Sequence, residues 1–247
     1  MSEPLVVLEG LAIRGPQRLL VSDLSLEVRP RRVTALVGPS GAGKSLTARA
    51  AMAVLDVVPG LVAGSLRYPA LAPTDWFAGI AGGGARAQRR LLVQTRHLRG
   101  AYVSYSPQAA SSALNPARTI GRQLQLAIGR RRQAPDSVAR EVRSLLAEVG
   151  LGPEVGMALP GELSGGMAQR AALAIAIAPQ PRLVIADEPE TGLDPVLRRS
   201  VVELLVTVCQ THQAGLLLIS HHQSTVDRIA DDVVALPAPA GAAGEAL

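Results

Sequence analysis

The sequence has one cysteine, one lysine and five aromatic residues among 247 positions. A lone cysteine, Cys209, excludes an internal disulfide framework and suits a reducing compartment. Five aromatics are too few for the interleaved aromatic and basic platform on which single-stranded nucleic acid stacks. No apolar run approaches the ~18 residues needed to span a bilayer. The longest candidate, Ala171 to Ala178, stops at Pro179 and Arg182. Met1-Ser2-Glu3-Pro4 lacks the basic start and apolar core of a secretory signal. Hydrophobic residues make up 48% and charged residues 18%, which argues against a disordered chain. The expectation is a soluble intracellular protein of one large domain or two small ones, with a substantial core.

Formal net charge is +5, and all the basic residues but Lys44 are arginine. Arginine and alanine enrichment reads as the mark of a GC-rich coding sequence. A chain that has nearly eliminated lysine but keeps one points to a position where arginine cannot serve. The basic balance alone fits nucleic acid, anionic headgroups or no ligand at all. The clusters Arg86-Arg89-Arg90-Arg96-Arg99 and Arg130-Arg131-Arg132 read as solvated surface.

Short apolar runs at Leu5–Leu8, Leu19–Val21 and Leu24–Val28 predict strands of a sheet near the start. Val33 to Val37, ending at Gly38, reads as a buried strand, and Lys44 to Leu55 as the helix after it. From Ala81 the texture becomes glycine- and then arginine-rich, a loop followed by a helix. Val138, Val142, Leu145, Leu146 and Val149 recur at helical spacing, predicting a helix from roughly Asp136 to Val149. Leu183–Ala186 and Leu216–Ile219 read as buried strands, with a helix over Pro195–Gln210 between them. The expected architecture is an α/β core that opens and closes the chain, interrupted by a helical insertion between about Ala85 and Pro160. The Ala-, Gly- and Pro-rich 237–247 reads as a frayed tail.

Gly38-Pro39-Ser40-Gly41-Ala42-Gly43-Lys44-Ser45 matches the phosphate-binding pattern G-x-x-x-x-G-K-[ST] without a mismatch. Its glycines let successive N–H groups point inward at phosphate oxygens. The helix starting at Lys44 and running on through Leu46 presents its positive end to the same anion. Lys44 is expected at the β- and γ-phosphates, and the Ser45 hydroxyl on Mg²⁺. The run Leu183-Val184-Ile185-Ala186 then ends in Asp187 and Glu188, at the end of a buried strand where ligands of parallel sheets sit. Asp187 suits water-mediated Mg²⁺ coordination, and Glu188 suits polarising the water that attacks the γ-phosphate. Ser164-Gly165-Gly166 precedes a helix and offers a second anion site. Two phosphate-binding helix starts are odd for one nucleotide, unless the second completes a neighbour's site across a dimer.

In order and spacing, from Leu5 to Leu236, these motifs resemble the ATP-binding subunits of ABC transporters. The resemblance implies a P-loop NTPase core of ABC type, with an N-terminal antiparallel β-subdomain and a helical subdomain inserted over 85–160. It implies that Leu163-Ser164-Gly165-Gly166 is the signature that clasps ATP held by the opposing subunit. Gln108 then falls at the loop glutamine linking Mg²⁺ to the membrane-subunit contact, Asp194 at the loop touching the partner ATPase, and His221 at the switch histidine on the γ-phosphate. Arg99-Gly100, Leu114-Asn115-Pro116 and Ser-Gly-Gly-Met are similar to the nickel and oligopeptide importer branch, with metal–opine importers as close relatives. The implied cofactors are ATP and Mg²⁺. The implied partners are a second ATPase chain, two integral-membrane permeases and an extracytoplasmic binding protein, with no nucleic acid, at the cytoplasmic face of a bacterial membrane. A soluble accessory ATPase of the phosphonate-degradation type is the alternative.

The chain also departs from the family pattern. No aromatic stands near Ile13-Arg14 to stack on adenine, and Ala109-Ala110 replaces Asp-Pro. Glu190 stands for threonine or serine, and His222 for aspartate. The stretch Leu66–Arg99 is longer than usual, and the C-terminal segment common in peptide-importer ATPases is not seen.

Overall fold

The computed structural model describes residues 2–108, 113–129, 135–191 and 195–238. Along the chain run β1 (Val6–Arg14), β2 (Leu19–Val28), β3 (Val33–Val37), α1 (Lys44–Ala50), β4 (Gly60–Arg67), α2 (Gly84–Gln94) and β5 (Val103–Ser106). Then follow α3 (Ile120–Ile128), α4 (Pro135–Glu148), α5 (Gly165–Ile177), β6 (Leu183–Asp187), α6 (Pro195–Thr211), β7 (Gly215–Ile219), α7 (Gln223–Ile229) and β8 (Asp232–Ala235). An antiparallel sheet has the order β2-β1-β4, and a parallel sheet the order β5-β6-β7-β3-β8.

Side-chain alternation on the parallel strands explains why two cores form. Leu183 and Ile185 of β6, with Leu217 and Ile219 of β7, join the core shared with the antiparallel sheet, α1 and α2. Val184 and Ala186, with Leu216 and Leu218, point the other way into the helices α3 to α6. Both faces are therefore covered, as a parallel sheet requires, and every residue of β6 and β7 is buried. Each large aliphatic side chain so placed contributes about 1.5–3 kcal/mol relative to exposure.

The helix expected over Lys44–Leu55 ends at Ala50. Ala53 turns left-handed at φ 56°, and the Val54 N–H reaches back to the Arg49 carbonyl at 2.9 Å, a closure that stops further helix. The arginine-rich stretch does open on a helix, but α2 packs on the antiparallel sheet through Ala87 and Leu91. Its Gln88 amide donates to the Val57 and Pro59 carbonyls at 3.1 and 3.2 Å. β5 joins the parallel sheet, so the helices packed on one another over 85–160 are α3 and α4, with α5 beyond them. On α6 the inner face is Val201, Val202, Leu205, Val208 and Cys209, whereas Leu204 is only partly buried.

Candidate active site

β3 delivers the chain to Gly38 at the carboxyl end of the parallel sheet, with α1 starting six residues later. Two of the loop's glycines are required by geometry. Gly38 has φ +150°, and a Cβ there would meet the Leu236 carbonyl oxygen at 2.8 Å. Gly43 has φ +96°, and its Cβ would lie 2.7 Å from Val21 and 2.8 Å from the Leu20 carbonyl. Gly43 offers α1 no side-chain cap, so the helix's first N–H groups stay free for an anion. Lys44 is buried, and its Nζ donates to the Gly38 and Pro39 carbonyls at 2.8 and 3.1 Å. An ammonium has three N–H donors, which leaves one for a further acceptor.

The ends of β6 and β7 bring the other side chains to this loop. Gly38, Pro39 and Ser40 line a cleft of about 510 Å³ with Glu188, Ser220 and His221. Glu188, the first residue beyond β6, takes φ 47°, a left-handed backbone that costs a non-glycine residue about 1–2 kcal/mol. Its N–H still bonds the Ile219 carbonyl at 3.0 Å, which keeps the turn registered on β7. Its Oε2 accepts from the Gln108 amide and from the Thr191 hydroxyl, both at 3.1 Å, and its Oε1 lies 3.4 Å from His221 Nδ1. Three sequence-predicted residues, Gln108, Glu188 and His221, thus converge from three separate strand ends.

Asp187 is buried at the last position of β6, and its Oδ2 accepts a 2.9 Å hydrogen bond from the Tyr105 hydroxyl on β5. Burial pushes the Tyr105 phenol above its usual range, and the Asp187 charge and hydrogen bond push it further. The phenol therefore stays a donor. Ser220 donates to Glu190 Oε1 and accepts from the His222 N–H at 3.0 Å, tying the turn after β6 to the turn after β7. Glu190 is fully buried, and its Oε2 has no hydrogen-bond partner among the described residues. Burial lowers the His222 pKa, with repulsion from His221 and Arg198 adding to it.

The oxygen donors available suit Mg²⁺. Ser45 offers a hydroxyl, Asp187 a carboxylate, and Gln108 an amide oxygen left over once its nitrogen has bonded Glu188. Ser164 caps α5 by accepting from the Met167 N–H at 3.3 Å. Ser164 and Gly165 are exposed, and the Ser164–Gly166 turn is absent from the lining of the cleft that holds Lys44's loop. Asp194 and Ala109-Ala110 lie outside the described residues. Tyr105, Thr191 and Ser220 escape sequence reasoning. Only Tyr105, one of three tyrosines, carried a signal, and it sits on a strand that was not predicted.

Residues 21–191 match the ABC transporter family. The nickel import ATP-binding protein NikD of Brucella abortus biovar 1 (strain 9-941) is 35% identical, over 96% of this chain and 85% of its own. The dipeptide transport ATP-binding protein DppD of Escherichia coli (strain K12) is 33% identical over 87% of this chain, which spans 63% of that relative. Among solved structures, an ATP-binding subunit of an ABC transporter superposes with a TM-score of 0.71 over 94% of this chain and 85% of its own, at 24% identity, a likeness of fold. Family match, long-range identity and site geometry agree, and the chain belongs to the ABC transporter family as an ATP-binding ATPase.

Proposed function

We propose that this chain powers a bacterial importer of nickel, metal–metallophore complexes or peptides, seated against two permeases at the cytoplasmic membrane face. The observation that carries the reading is the convergence of Gln108, Glu188 and His221 on the cleft walled by the phosphate loop. The relatives named for nickel and dipeptide transport support the branch. We read 1–247 as one ATPase domain, with 1–84 and 161–236 as catalytic core, 85–160 as helical subdomain and 237–247 as tail.

ATP binds with its phosphates against residues 38–46, where loop N–H groups, the α1 start and Lys44 neutralise charge. Ser45, Gln108 and Asp187 hold Mg²⁺, which when bound shields the phosphate oxygens. Glu188 Oε1 accepts a hydrogen bond from the attacking water, while Gln108 and Thr191 fix its other oxygen. His221 contacts the γ-phosphate. Ser164, Gly165 and Gly166 clasp ATP held by a second, different ATPase chain, and Asp194 lies at that contact. Phosphoryl transfer relies on positioning and charge, so the closed pair hydrolyses efficiently and half a site only slowly.

The test is a mild-detergent pull-down of tagged Glu188→Gln protein with ATP and Mg²⁺ from its native cells. Recovery of two permeases, a second ATPase and a linked binding protein is expected. Recovery of soluble enzymes alone would sink the transport reading and favour the accessory one.

A further inference from the structure

Between Asp75 and Asp136 lie sixty residues without a single Asp or Glu, and they hold ten arginines. Outside that stretch the balance reverses, with fifteen basic residues against twenty acidic ones. The positive net charge of the chain therefore resides in this segment alone. Its described residues include α2, β5 and α3.

Burial divides α2 sharply. Ala87, Gln88 and Leu91 face the antiparallel sheet, and Arg86, Arg89 and Arg90 are exposed. Leu92 and Val93, on the same helix, are 41% and 65% exposed. Arg96 is exposed on the turn beyond, as are Arg118 before α3 and Arg122 on it. Among the described residues, Arg86, Arg89, Arg96 and Arg118 make no ion pair, and Arg90 bonds only the Gly79 carbonyl, at 3.1 Å. The two halves of the segment meet across a groove of about 580 Å³, with Arg99 and Gly100 on one wall and Arg118, Gln123 and Leu126 on the other.

We infer that the exposed arginine-rich face of α2, whose nearest carboxylate, Asp56, is already paired with Arg49, rests on an anionic bilayer. The inference stands on the proposed seating of the ATPase against permeases, since the surround of the docking region then faces lipid. Unpaired, permanently charged guanidinium groups interleaved on α2 with exposed Leu92 and Val93 match a fluid layer of anionic headgroups over acyl chains. A folded acidic partner would hold such arginines in defined pairs. Single-stranded nucleic acid would want stacking aromatics, and the segment's own are engaged: Phe77 and Tyr102 are buried, Trp76 packs edge-on against Tyr68, and the Tyr105 hydroxyl bonds Asp187.

Co-sedimentation of the full chain with phosphatidylcholine vesicles, with and without a phosphatidylglycerol fraction, tests this. Binding is expected only to the anionic vesicles, weakening as salt rises. Each arginine near the surface strengthens partitioning about fivefold, so Arg86→Gln with Arg89→Gln lowers it on the order of twentyfold. Arg14→Gln with Arg18→Gln, an equal charge loss on the exposed β1–β2 turn, leaves it within about twofold. Equal losses in the two variants, equal binding to both vesicles, no vesicle binding, or retention on duplex DNA alone would each overturn the inference. The pull-down in detergent reads protein contacts without a bilayer, so either result can fail while the other holds.

Discussion

Gln108 and Glu188 stand eighty positions apart in the chain and share a hydrogen bond of 3.1 Å, the Gln108 amide donating to Glu188 Oε2. Through it the loop after β5, beside the groove, touches the acid after β6, inside the cleft. Movement of that loop changes what holds the carboxylate. Glu188→Gln, which keeps shape and removes charge, is expected to cut phosphate release by the assembled transporter about a hundredfold or more. Nucleotide binding should persist, with a trapped closed dimer by size-exclusion chromatography. Normal turnover would refute the role of Glu188.

Tyr105→Phe removes one oxygen and strands another. Asp187 Oδ2 loses its 2.9 Å donor while staying buried, which costs about 1–3 kcal/mol of stability. Urea denaturation reads that loss directly. A higher Mg²⁺ concentration for half-maximal ATP binding is expected too, because the carboxylate is no longer fixed. An unchanged midpoint together with unchanged Mg²⁺ dependence would show that the hydroxyl positions nothing.

Ser220 and Glu190 form a buried pair across the ends of β6 and β7. Among the described residues Oε2 has no partner, so Ser220→Ala removes the carboxyl's one hydrogen bond there, a loss of about 1–3 kcal/mol. Adding Glu190→Thr, the residue type usual in the family at that position, should recover part of it. A double-mutant cycle measures the coupling, and strictly additive losses would mean the contact carries none.

Burial alone raises the Cys209 thiol from its ordinary value of 9.0 to about 12. Native protein should therefore resist alkylation at pH 8 and react once unfolded. The group holds its proton longer when folded than unfolded. Its contribution to stability is complete below pH 9.0 and is lost as pH rises toward 12. Rapid labelling of the folded chain at pH 8 would contradict this.

The elements legible in the sequence were those marked by an apolar run or a helical period. β3, β6 and β7 are continuous apolar runs, and the phosphate loop is a pattern that chemistry requires. β4 was hidden because it opens on Gly60 and its apolar run is broken by Gly64, both at positive φ. β8, Asp232–Ala235, starts on an acid and lies exposed at a sheet edge, so no apolar run marks it. Gln108, Glu188 and His221 were identified singly, from spacing and resemblance. Their contacts were not, because partners eighty positions apart (Gln108 and Glu188) or thirty-three (Glu188 and His221) meet only through sheet order. Glu190 was visible as a departure, but its burial against Ser220 needed the fold.

Lys44 lies inside the phosphate loop, held by two of the loop's own carbonyls, and the chain has no other lysine. Isotopically labelled lysine would therefore enter the chain at a single position. Its ε-ammonium resonance would be the only one of its kind, recorded without assignment or background, and any change in it on adding nucleotide would report the loop alone.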